Sequence, residues 1–203
     1  MTLELDRVFS GPLAGASLAV APGLTVVLPP QGAEGAGGME YPSFVTLESP
    51  LRGPLGHQPR LWQAFQRLYG TLWSRGVLDH ATKEVARLRN ARITGCGFCR
   101  NVRFEGARRE GLSEDLVEQI ADGFEASSLS ARHKLVIRYT DAFLADPASI
   151  APDLRRAMGE EFTPEEIVEL TAGLALFLGF SKIAVVLGTA PESMPVTILP
   201  TPA

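Results

Sequence analysis

The sequence has only two cysteines and three histidines. A closed zinc site wants four ligands, and with no second CxxC and no clustered histidines the chain cannot complete one. Two cysteines separated by two residues are equally poor as a framework of structural disulfides, but suit a redox pair. Long basic runs are missing too. With a net charge of −4 there is no electrostatic footprint for nucleic acid. No secretory leader is expected, because residues 1–16 carry Glu4 and Asp6 where a leader is basic, and Gly11-Pro12 breaks the apolar stretch. The longest apolar run, from Leu170 to Phe180, is short for a bilayer and lies between Glu169 and Lys182. It is expected to be a buried core helix, with no membrane partner. No cofactor motif is present, and a cytoplasmic protein is the default expectation.

What is present is an ordinary apolar fraction of 45% in 203 residues, enough for one domain with or without an extension. The first part, residues 1–58, is dense in helix breakers. Gly32, Gly35, Gly37, Gly38, Pro42, Pro50, Gly53, Pro54 and Gly56 leave no room for an ordinary helix. Leu18 to Leu28, around Ala21-Pro22-Gly23, suits a short hairpin or extended arm. This stretch is expected as an irregular extension that wraps the domain or a neighbour, or trails as a tail.

Residues 59–203 read as an all-α domain of six to seven helices. Leu61, Trp62, Phe65, Leu68, Tyr69, Leu72 and Trp73 form one wide apolar stripe behind Pro59, expected as core or subunit contact. Asp79 suits the cap of a second helix reaching Thr94, with Val85 and Leu88 inward. Gly95 breaks it, and a third helix is expected from Cys96 to Gly111. Ser113 and Ser130 are caps of the next two helices, Asp146-Pro147 stops the second of these, and a short helix follows from Pro152 to Gly159. Thr163-Pro164-Glu165-Glu166 is a capping box opening the last helix towards Gly188, with a kink expected near Gly179.

The chemistry concentrates at Gly95-Cys96-Gly97-Phe98-Cys99. CxxC spacing on a first helical turn brings both sulfurs within disulfide reach, and free backbone N–H groups there favour a thiolate. Two cysteines buried as small apolar residues would have the same spacing. If the second and third helices fold back at Gly95, a rise of about 1.5 Å per residue sets Glu84 and Arg103 at nearly one level. Arg103 also lies one turn beyond Cys99. A Glu84–Arg103 pair beside Cys99 is therefore expected, against the alternative of an ordinary surface pair. Phe98, Trp62 and Trp73 are candidates for an apolar approach to the thiols. His57, His80 and His133 are remote in sequence; His80, one turn before Glu84, is the one candidate for a proton carrier beside it, but is expected at the solvated surface.

Thr82-Lys83-Glu84, Gly95-Cys96-Gly97-Phe98-Cys99 and Gly111-Leu112-Ser113, with Phe162 to Leu170 downstream, resemble the alkylhydroperoxidase AhpD / carboxymuconolactone decarboxylase family. The resemblance covers roughly residues 60–190 and is far more specific than the CxxC alone. It implies a thiol peroxidase or disulfide reductase on an AhpD-like fold of six to seven helices, assembled as a trimer or hexamer. By it, Cys99 would attack a hydroperoxide, Cys96 would resolve the sulfenic acid, Glu84 would serve a proton relay, and an external dithiol such as a lipoyl group would reset the pair. One position departs. The family's relay histidine, four residues after the second cysteine, is here Arg103, which can stabilise a thiolate but cannot carry a proton away. That departure favours a non-catalytic scaffold or redox sensor, while Glu84 and both cysteines favour an enzyme. Lactone decarboxylation, the family's other chemistry, does not need the CxxC. In thioredoxin-like sites the first cysteine attacks, whereas Arg103 favours Cys99.

Overall fold

A computed structural model describes residues 57–187 and 194–203, and within them the chain is all-α, with eight α-helices and one pair of three-residue strands. The arm or hairpin expected near Leu18 to Leu28 lies outside the described residues.

The helix starts follow local capping chemistry. α1 (Pro59–Ser74) begins on its proline. α2 (His80–Thr94) opens on Asp79, whose carboxylate accepts from both Thr82 N and Thr82 Oγ1 at 2.7 Å. Burial alone would raise the Asp79 pKa. The Thr82 hydrogen bonds and Arg132 outweigh that and hold it below its ordinary value. Ser113 caps the short α5 (Glu114–Glu118), and Ser130 caps α6 (Ala131–Ala145). Pro152 starts α7 (Pro152–Glu161), and Thr163 with Glu166 forms the capping box of α8 (Pro164–Val186).

α2 is the central element. It packs chiefly against α8 and α6, and every residue from Ala81 to Ala91 is buried. Its sequence is charged, so each buried charge needs a partner. Lys83 donates to the last carbonyls of α1, Leu72 O at 2.9 Å and Trp73 O at 3.1 Å, and to Glu169 at 3.1 Å. Arg89 pairs with Asp141 at 2.6 Å and Asp122 at 3.0 Å.

One expectation is corrected. The single helix expected from Cys96 to Gly111 is three pieces: α3 (Gly97–Asn101), β1 (Val102–Phe104) and α4 (Glu105–Arg109). The carbonyls of Cys99 and Val102, which a continuing helix would use for the N–H groups of Arg103 and Gly106, go instead to Arg87. Gly106 N donates to Thr201 Oγ1 at 2.8 Å, and β1 pairs in parallel with β2 (Thr197–Leu199), Val102 opposite Thr197. α8 runs without a break through Gly179.

α8 is also longer than the apolar run it contains. By length and composition alone its 23 residues meet the requirement for crossing a membrane. It packs as a core helix on one face, with Leu170, Gly173, Leu174, Phe177, Ser181 and Ala184 buried. Val168, Ile183 and Val186 stay exposed.

Candidate active site around Cys96 and Cys99

The site is built at the α2–α3 turn. Gly95 ends α2 with φ of 69°, a left-handed conformation in which a side chain would be strained. The next residue, Cys96, caps α3, and its Sγ accepts from Cys99 N at 3.2 Å. Cys96 and Cys99 form a disulfide with Cα atoms 5.3 Å apart. Cys96 is completely buried, and Cys99 is 6% exposed, so the second cysteine is the one nearer to solvent. Ala91 and Ala184 complete a small apolar cluster with them, covered by Phe98, Phe180 and Val185.

Aromatic residues lead to that cluster from α1. Phe180 stacks on Phe65 with centroids 5.1 Å apart and on Trp62 at 6.4 Å. Of the three aromatics expected near the thiols, Phe98 packs on the cluster and Trp62 reaches it through Phe180. Trp73 does not belong there: it is buried in the main core against Phe104, 4.7 Å between centroids, and stacks on His80. That contact also withdraws His80 from the solvated surface where it was expected, because its ring covers a core tryptophan.

Glu84 and Arg103, expected to pair, do not. The Glu84 carboxylate is taken by Arg87 in a bidentate ion pair, at 2.8 Å to Nε and 2.7 Å to Nη2. Arg103 donates instead to Glu114 at 3.1 Å and to the carbonyls of Arg100 and Val102. The reason is geometric. With β1 in place of a helical turn, Arg103 no longer continues the face of Cys99, and Arg87, three residues after Glu84 on one helix, is the nearer cation.

Arg87 is thus the residue that sequence reasoning missed. Its guanidinium holds Glu84, Cys99 O at 2.6 Å and Val102 O at 2.6 Å, and it lies over the Phe104 ring at 5.0 Å. Burial would lower its pKa, but the Glu84 charge outweighs this and raises it. Arg103 goes the other way, pulled down by burial and by the Arg87 charge against the opposing pull of Glu114. Tyr69, which feels the same Arg87–Glu84 pair, is pushed up to about 12 by burial. Two more residues were missed: Ser181 Oγ lies 3.5 Å from Cys99 Sγ, and Asn90 Nδ2 donates to Ser181 Oγ at 3.0 Å.

The arrangement defines a helical protein with a thiol–disulfide pair at the end of its central helix. Residues 59–142, less than half of the chain, match the model of the Carboxymuconolactone decarboxylase family. The fold of the chain is AhpD-like. ATU0492 from Agrobacterium tumefaciens, a protein of unknown function considered a candidate AhpD-type antioxidant defence protein, superposes with a TM-score of 0.60. That match has 23% identity and covers 69% of this chain and 95% of the other. An uncharacterised Mycobacterium tuberculosis protein, Rv2313c, is 35% identical over 55% of this chain, but the match spans only 39% of its length. Uncharacterised YnjA of Escherichia coli is 27% identical, covering 50% of this chain and 56% of its own.

Proposed function

We propose that the protein is a thiol oxidoreductase that reduces a small hydroperoxide or disulfide by cycling Cys96 and Cys99 between dithiol and disulfide. The observation that carries this is the disulfide at the start of α3, with Cys99 the less buried partner. In the peroxide reaction the Cys99 thiolate attacks one oxygen of ROOH. The S–O bond forms as the O–O bond breaks, and the alkoxide leaves as ROH with a proton from water. Cys96, as thiolate, then attacks the sulfenic sulfur, the S–S bond forms and hydroxide departs. An external dithiol returns the pair to two thiols and is itself oxidised to a disulfide.

In this reading Glu84 acts through Arg87, which fixes the carbonyl of Cys99 and brings positive charge to the loop. Arg103 supplies a second charge on the same segment. Neither arginine carries protons, so the thiol must be largely ionised before the substrate arrives. A cytoplasmic setting, where dithiols are plentiful, suits the cycle. The apolar face of α8 left open by Ile183 and Val186, next to Ile93 on α2, suits a second copy of the chain in a trimer or hexamer. A redox sensor or scaffold is the second reading, favoured by Arg103 where the family's relay has histidine.

One equivalent of tert-butyl hydroperoxide tests the assignment of the sulfurs. In Cys96→Ser a sulfenic acid should accumulate at Cys99 and be trapped by dimedone, while Cys99→Ser should give none. Sulfenic acid in neither variant would remove peroxide as a substrate.

A further inference from the structure

Besides the Lys83–Glu169 ion pair near the start of α2, one neutral polar pair, Asn90 and Ser181, joins α2 to α8. Asn90 is fully buried and Ser181 is 1% exposed. A buried polar pair is costly unless its hydrogen bonds are made. Asn90 Nδ2 donates to Ser181 Oγ at 3.0 Å, which uses the hydroxyl as an acceptor and leaves its single hydrogen to be placed. Four threonine hydroxyls in the helices donate to the carbonyl four residues earlier: Thr71 to Arg67, Thr94 to Asn90, Thr140 to Val136 and Thr171 to Ile167. Ser181 instead turns to Cys99 Sγ, 3.5 Å away.

We propose that Ser181 is part of the reacting site, donating its hydroxyl hydrogen to the Cys99 sulfur, and that Asn90 is the positioning residue that fixes the direction of that bond. This rests on Cys99 being the attacking sulfur. A disulfide sulfur accepts hydrogen bonds weakly and a thiolate accepts them well, so the bond strengthens when the pair is reduced. It stabilises the reacting form of Cys99 in a place where the family's relay residue has been replaced by arginine. The charged groups on the elements that flank the sulfur are Glu84 and Arg87 from α2, Arg100 and Arg103 from the segment that follows it, and the exposed Lys182 next to Ser181 on α8. The Ser181 donor is distinct from all of these because it is neutral and reaches the sulfur directly.

Alkylation of Cys99 by iodoacetamide, followed against pH in the reduced full-length protein, tests this. A Cys96→Ser background keeps the two thiols from titrating as a coupled pair. Ser181→Ala should raise the Cys99 pKa by about one unit, slowing alkylation about tenfold at a fixed pH below it. Ser181→Thr should restore the original profile. Asn90→Asp, which accepts the serine hydrogen and draws it off the sulfur, should raise the pKa as Ser181→Ala does. An unchanged profile in Ser181→Ala, with circular dichroism and thermal melting like the parent's, would overturn the proposal. If the wild type consumes no hydroperoxide yet Ser181→Ala shifts the profile, the proposed function falls and this inference stands. The reverse pair of results removes Ser181 alone.

Discussion

Arg87 ties a buried carboxylate to the backbone carbonyls of Cys99 and Val102, and it is the residue whose loss should matter most. Its side chain is 5% exposed and that of Glu84 1%. Removing one member of such a pair strands the other as a buried charge, a cost of about 3–5 kcal/mol. Arg103 pairs with Glu114, which is 37% exposed, so that contact is worth about 1 kcal/mol or less. Urea unfolding of Arg87→Ala and Arg103→Ala should therefore separate them clearly, and equal losses would contradict the assignment of Arg87. That Cys96 and Cys99 lie within disulfide reach was legible in the sequence, because a CxxC spacing is local. Arg87 was legible in principle, three residues after Glu84 on the same face, but the comparison across the Gly95 turn favoured Arg103. Asn90 and Ser181 had no local signal. They lie 91 residues apart, and only the packing of α8 on α2 brings them to one sulfur.

At the scale of elements, the caps were the readable part. Asp79, Ser113, Ser130 and Thr163 each start the helix their chemistry indicates, because an N-cap is a bond across three residues. The break-up of the segment after Cys99 was not readable, since it depends on Arg87 from one helix and on β2 from the far end of the chain. Asp79 also carries a pH dependence. Its folded pKa lies below the unfolded value, so its stabilisation is present above that value and is lost as pH falls through the folded one. Asp79→Asn keeps an acceptor at the cap without the charge. It should lower stability at neutral pH and flatten the acid limb below about pH 4. Urea midpoints measured against pH would show this, and an unchanged acid limb would contradict it.

The whole molecule raises the question of what covers α8. A helix this apolar, buried on only one face, leaves Val168, Ile183 and Val186 at 68, 40 and 51% exposure. A charge placed in that face, as in Val186→Glu, should dissociate a homo-oligomer without unfolding the chain, because these side chains are outside the core. Sedimentation velocity of the two proteins reads the difference, and a wild type that sediments as a monomer would contradict the assembly. The all-α character was visible in the sequence, whereas the central place of α2 was not. The exposed back of α8 was not, because apolar periodicity does not distinguish a face that meets the core from one that meets another copy.

The most direct test is hydroperoxide consumption by the purified full-length protein supplied with dihydrolipoamide, with Cys99→Ser beside it. A thiol peroxidase should turn over many times its own concentration, and the variant should lose essentially all of that turnover. A wild type whose disulfide forms and is reduced, yet which consumes no more peroxide than Cys99→Ser, would contradict the enzyme and assign the pair to redox sensing.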